Sequence, residues 1–463
     1  MVEQIILLDM LKKNRIRFLL LAILSFSCLF NSFNIYAGGI ARDAETEEFL
    51  EEMTLPIVNV ANLNTSSVDI YLFNENSINA FVTCGQKIFV NTGLIMELEE
   101  PSMLRGVLAH ETGHIAGAHL ARSDEALKKA QAPMIIGLLL GVGAAVAGGD
   151  SDAVQGILLG SQQIAQGMVA KYSRGQEAAA DQAAFQYLER LGLSSMGMIE
   201  VLYKFADQEA LSRKSQSSRV RSHPISRQRI RALENQAINS KFYGNTDNKV
   251  LLYRYKMIRA KLDGFLKRPD NVLIKYKDDN SDFGIYAKSI ALYKKALTDK
   301  AIQEIDLLIK KYPKNPWFYE LKGQILYESG KIKSSIEPYE KSLIYSNENP
   351  LILTALGSAY LALEDELYVE KAHNLLNKAI KIDSKNSYAW FQLAIAEARL
   401  GNFGKADLFS AERFFILGNV ELAAFHAKRA KKNLKNSGAL LMRAEDIILD
   451  SKNKKNWKQR CPV

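Results

Sequence analysis

A spacing of 34 residues constrains this chain more than any other feature. It separates Pro316 from Pro350, Gly323 from Gly357, and Ala301 from Ser335. Ala372 resumes the series after a three-residue insertion near Glu364–Val369, and Trp390, Leu393, Ala394, Gly401 and Ala406 carry it on. Gly418, Ala423 and Ala430 mark a further, degenerate unit. Proline suits the first turn of a helix, small residues let two helices approach, and apolar residues between them recur at helical period. A helix–turn–helix unit of this size cannot bury its apolar face alone, so units must stack. Residues 282–440 hold about four such units and predict an all-α solenoid, whose concave groove suits a peptide or protein segment.

The rest of the 463 residues has room for one or two further domains. Residues 44–237 are rich in Ala, Gly and small apolar side chains. Ala44–Glu52 predicts a helix. Val68–Phe73 and Lys87–Val90 alternate at period two and predict strands. Helical patterns follow over about 95–128, 131–147, 151–190 and 195–211. Residues 238–281 are polar and basic and predict a linker with one helix near Leu251–Leu266, while 441–463 form a basic tail. Lys plus Arg number 60 against 51 Asp plus Glu. An excess this small and dispersed makes no case for nucleic acid. Three cysteines exclude a disulfide scaffold. Cys84 and Cys461 either pair or remain separate thiols.

Met10–Arg17 is basic, Phe18–Phe33 is mostly apolar, and Ala37 precedes a glycine pair. That order predicts a secretory leader over residues 1–37, with an uncleaved anchor as the alternative. Export would place the rest in an oxidising compartment. Met134–Gly148 and Ile157–Gly160 are apolar but short for a span. They predict a hairpin within the fold or a peripheral membrane contact.

His110-Glu111-Thr112-Gly113-His114 carries the chemistry. Histidines at i and i+4 share one helix face, one turn apart, so both rings can bind one Zn²⁺. Glu111 stands beside the first ligand, where it can act as general base on an attacking water. A catalytic zinc needs a third protein ligand and an open position. Glu177 and Asp181, again i and i+4, supply a candidate ligand and a carboxylate to orient a ligand histidine. Arg174 is a candidate to neutralise the site. His119, at i+5 from His114, falls off the ligand face and is expected to be structural. His373 and His426 are expected at the surface or in packing.

These segments, with Asn79-Ala-Phe81, Ile88–Leu94 and Ser222-His223-Pro224 in the same order, resemble the M48 family of zinc metallopeptidases. The resemblance spans residues 44–237 and implies, over 38–237, an α+β gluzincin-type domain, mostly helical, with a small sheet bearing an edge strand. It implies one zinc per chain on His110, His114 and Glu177, with Glu111 as base and Asp181 and Arg229 supporting them. It implies that Ile88, Phe89, Val90 and Asn91 are an edge strand that pairs with an extended substrate. His223 is either an oxyanion donor or a fourth zinc ligand that holds the resting enzyme inactive. The 34-residue units resemble tetratricopeptide repeats. Leader, peptidase domain and repeats together resemble family members of the periplasm. That implies clients among unfolded or misassembled outer-membrane proteins and a contact between the repeats and the barrel assembly machinery. The alternatives are a chaperone or adaptor with a silent metal site, and a general envelope quality-control protease.

Overall fold

A computed structural model describes residues 39–83, 86–119, 173–211, 223, 227–363, 365–434 and 438–457, with single positions at 122, 129 and 159. The leader, the three cysteines and the 134–160 stretch other than Leu159 lie outside the described residues. From Ile40 onward these residues belong to one compact unit.

The first half begins with strand β1 (Gly39–Ala41) and helix α1 (Ala44–Val60). Asp43 caps α1, its side chain accepting from the Thr46 amide. Phe49, Leu50, Met53, Ile57 and Val58 bury one face of α1 in the main core. Strands β2 (Asp69–Asn74), β3 (Ala80–Thr83) and β4 (Lys87–Asn91) follow. The sheet order is β1-β2-β4-β3. Leu72, Ala80, Ile88 and Val90 face the core. Tyr71, Phe73, Phe81 and Phe89 stack on the opposite face.

The strand order corrects one expectation. Ile88–Asn91 is not an edge. β4 pairs in parallel with β2, Ile70 opposite Ile88, and antiparallel with β3, Phe81 opposite Phe89. Both sides of its backbone are taken, so β4 cannot accept a substrate strand. β3 inserts between β2 and β4 in sequence but outside β4 in space.

Helices α2 (Thr92–Glu97), α3 (Pro101–Ala116), α4 (173–190), α5 (Met196–Leu211) and α6 (Arg227–Ile238) complete this half. Pro101 opens α3, where its missing N–H costs nothing. β3 and α5 both pack on α3.

The stretch expected as a linker holds two helices, α7 (Lys249–Leu266) and α8 (Pro269–Lys275). α7 belongs to both halves. Tyr255, Ile258 and Leu262 enter the core of the first half, and Met257 and Phe265 enter the core of the first repeat. A helix apolar on two faces is a junction between packed bodies rather than a tether.

The repeats are α9 (Asp282–Lys294) with α10 (Thr298–Lys311), α11 (Pro316–Glu328) with α12 (Ile332–Tyr345), and α13 (Pro350–Leu361) with α14 (Glu366–Ile382). Then come α15 (Ser387–Arg399) with α16 (Phe403–Ile416), and α17 (Val420–Asn433) with α18 (Gly438–Trp457). Each helix packs on the next. This is a tetratricopeptide-type solenoid. The period follows the caps: Ser281, Asn315 and Asn349 each accept from a first-turn amide with their side chains. Ala301, Ser335 and Ala372 are fully buried between helices. The solenoid does not end at 440. α18 packs Ala444 and Ile447 into the terminal core, so the expected basic tail begins with a structural helix.

The solenoid also grips the start of α1. Ala44 packs on Trp317 and Ile352. Arg42 reaches Asp383 at 2.7 Å, and Lys385 reaches Asp69 at 2.5 Å. No helix among the described residues is long and apolar enough to cross a membrane.

Candidate metal centre

The site is built where α3 crosses α4. A Cβ on Gly113 would stand 2.9 Å from the Ala180 carbonyl oxygen and 3.3 Å from the Ala183 Cβ. Glycine on one helix and alanines on the other therefore set the close approach. That approach brings Glu177, one turn before the crossing, onto the face of α3 that carries His110 and His114. Glu177, Asp181, His110 and Glu111 are each buried, and so is His223.

Four donor atoms converge: one each from His110, His114, Glu177 and His223, all within 4.8 Å of one another. His110 Nε2 lies 3.1 Å from His114 Nε2 and 3.3 Å from His223 Nδ1. The Glu177 carboxylate lies 3.2 Å from His114 Nε2, 3.4 Å from His110 Nε2 and 3.1 Å from His223 Nδ1. Tetrahedral ligands with metal bonds of ~2.0–2.1 Å are separated by ~3.3–3.4 Å. These separations fit a small ion at the centre.

The charges ask for a cation as well. Asp181 Oδ1 stands 2.9 Å from His110 Nδ1. Arg229 donates through Nε and Nη2 to Asp181 at 2.6 and 2.9 Å, and its Nη1 lies 3.0 Å from Glu177. Arg174, by contrast, is exposed, and Arg229 occupies the role expected of it. Glu111, Glu177 and Asp181 are three buried carboxylates. Arg229 balances one; a charged His110 or, with that ring neutral, a bound dication offsets the others.

The same contacts shift the titration of the cluster. Burial disfavours charge on His110, but Asp181 and Glu177 outweigh it and push the imidazole up to about 9. Burial also opposes ionisation of Glu177 and Asp181. Hydrogen bonds from His110, joined by His114 and His223 at Glu177 and by Arg229 at Asp181, hold both carboxyls below the usual range.

His119, expected off the ligand face, has its Nδ1 2.9 Å from His114 Nδ1. Burial and the neighbouring His114 lower its pKa to about 4. Gln176, beside Glu177, donates to the His119 carbonyl at 2.8 Å. Helical spacing alone did not find either contact, because α3 ends at Ala116.

The segment that carries this site has counterparts among known proteins. Residues 42–237 match peptidase family M48. This segment is an M48 peptidase domain. Relatives extend the likeness beyond it. The Escherichia coli K12 "Beta-barrel assembly-enhancing protease" is 24% identical, over 89% of this chain and 84% of its own length. The protein of that name from Yersinia pestis is 26% identical over 65% of this chain, which spans 63% of that protein. Escherichia coli "Metalloprotease YcaL" is 29% identical over 39% of this chain and 66% of its own. M48 peptidases depend on a metal, and the four converging donors lie inside the M48 segment. The chain is a metallopeptidase followed by tetratricopeptide repeats.

Proposed function

We propose that this chain is a zinc endopeptidase of the periplasm, peripheral to the outer membrane. It degrades misfolded or stalled outer-membrane proteins and assists their assembly, with the repeats binding the client or the assembly machinery. One observation carries the catalytic half: four donor atoms at tetrahedral separations, with the buried carboxylate of Glu111 on the adjacent helix position. Imidazoles combined with one carboxylate suit Zn²⁺ best. The names of the relatives support the envelope setting and the barrel-protein clients.

Zinc, when bound, polarises the scissile carbonyl and acidifies the attacking water. His110, His114 and Glu177 would hold it. Asp181 accepts the His110 Nδ1 proton, which turns Nε2 toward the site and makes it a better donor. Arg229 fixes Asp181 and Glu177 together. Glu111 takes the proton of the water and delivers it to the leaving amine.

His223 acts as the gate. Its Nδ1 stands at the fourth corner, and its Nε2 is 3.5 Å from Glu111 Oε1. One ring thus covers both the open position and the base. Swinging it out exposes both and leaves an N–H near the cleft to meet a developing oxyanion.

The same blocked corner favours a second reading, a chaperone or adaptor with a silent metal site. Casein hydrolysis by wild type, Glu111→Gln and His223→Ala, with bound zinc quantified in each, separates the two. We expect one zinc per chain in wild type and Glu111→Gln, no cleavage by Glu111→Gln, and faster cleavage by His223→Ala than by wild type. Zinc-loaded wild type and His223→Ala that both fail to cleave would establish the silent site. Cross-linking through the repeats, with recovery of generic unfolded proteins instead of barrel precursors, would replace the client class with general quality control.

A further inference from the structure

We propose that His119 is a positioning residue for His114, holding its ring by accepting the proton on His114 Nδ1. This rests on His114 being a metal ligand through Nε2. A ring that offers Nε2 to a metal carries its proton on Nδ1. At 2.9 Å from His119 Nδ1, that proton has an acceptor in line. His119 must then be the neutral tautomer protonated on Nε2.

The turn that presents His119 is built for the purpose. α3 ends at Ala116, and the Gly117 amide closes the last turn on the Gly113 carbonyl at 2.9 Å. Ala118 then takes φ +49°, in the left-handed region, which swings the chain back. The His119 ring folds over Gly117. A Cβ on Gly117 would stand 2.2 Å from His119 Nε2 and 2.6 Å from its Cδ2. Only glycine leaves that space. The ring is 6% exposed, and the Gln176 amide pins the backbone behind it. Gln176 precedes Glu177 on α4, so one helix supplies a metal corner and anchors the turn that steadies another corner. The two ligand histidines are therefore backed differently: His110 by the carboxylate of Asp181, His114 by a neutral imidazole.

Three variants of the full-length chain test this, with Zn²⁺ affinity measured by competition against a chelating dye. His119→Phe keeps the ring and removes the acceptor. His119→Asn places an amide oxygen where Nδ1 stood. Gly117→Ala is permitted by its backbone, at φ −73°, but pushes the His119 ring away. We expect His119→Phe and Gly117→Ala to bind zinc roughly 10–100-fold more weakly, as outer partners of ligand histidines do when removed. His119→Asn should stay within about threefold of wild type. Melting temperatures in chelator should match wild type for His119→Phe and His119→Asn and fall for Gly117→Ala, whose Cβ crowds the His119 ring, while the rise on adding zinc shrinks for His119→Phe and Gly117→Ala. Wild-type affinity in His119→Phe overturns the proposal, and so does an equal loss in His119→Asn. Absence of zinc binding by wild type overturns the metal site itself, and the proposal with it.

Discussion

Replacing Lys261 by methionine isolates what joins the repeats to the peptidase. Lys261 lies in α7 and is 1% exposed. Its Nζ faces Asp43 at 2.5 Å, Glu45 at 3.4 Å and Glu320 at 3.4 Å. Asp43 and Glu45 open α1 of the peptidase half, and Glu320 belongs to α11 of the second repeat. Tyr286 of α9 donates to Glu45 at 2.9 Å. One ammonium thus holds carboxylates from both halves, out of water. Methionine preserves the apolar stem and removes the charge. Breaking a buried ion cluster by taking one partner costs about 3–5 kcal/mol, a large part of a typical domain's stability.

The loss depends on pH, and its direction follows from the carboxyls. Burial, opposed by Lys261, pushes Glu45 up to about 7 and also raises Glu320. Burial works on Asp43 too, but Lys261 holds it below its usual range. Without the ammonium, all three rise. A carboxyl whose folded pKa exceeds its unfolded value contributes stability at low pH and loses it as pH climbs through the folded pKa. The deficit of Lys261→Met is therefore full at pH 8 and shrinks toward pH 5, where Glu45 is protonated while Asp43 still faces Lys261 as a carboxylate in the wild type. Urea unfolding of wild type and variant at both pH values measures it. We expect a loss of about 3–5 kcal/mol at pH 8 and a smaller loss at pH 5, where the Lys261–Asp43 pair alone keeps its charge. An equal loss at both values would refute the electrostatic account and point to packing alone.

Three other outcomes follow from the same geometry. Glu45→Gln removes a carboxyl that titrates near 7, so the fall in wild-type stability between pH ~4.5 and ~7 should flatten in thermal melts across that range. Arg229→Gln should destabilise the metal-free protein by about 3–5 kcal/mol in urea unfolding. Arg229→Lys should recover only part, because the fork onto Asp181 is lost. Gly323→Ala places a Cβ 2.7 Å from the Tyr339 ring. It should cost about 1–3 kcal/mol while leaving zinc content unchanged, since Gly323 lies within the solenoid.

What was legible in the sequence is what depends on spacing within one element. Histidines at i and i+4 on α3, and acidic residues at i and i+4 on α4, must share faces whatever surrounds them. The 34-residue period likewise survives, because Asn315, Pro316 and Gly323 return 34 residues on as Asn349, Pro350 and Gly357. Strand order is not local, and it was lost. β3 is four residues of half-buried sequence, yet its pairing with β4 moves Ile88–Asn91 from the edge of the sheet to its interior. The helix of α7 was legible near Leu251–Leu266, but its place as a junction was not, because lysines and arginines interrupt apolar residues that divide between two cores. α18 was hidden the same way, by the basic run that ends it. His119 failed for a different reason. Counting i+5 along a helix puts it away from His114 only if the helix continues, and at Ala118 it does not. A left-handed alanine carries no sequence signal of the kind a glycine would. The residues that aim a ligand can thus sit just past the end of the element that bears it, where periodicity no longer constrains them and only the turn decides.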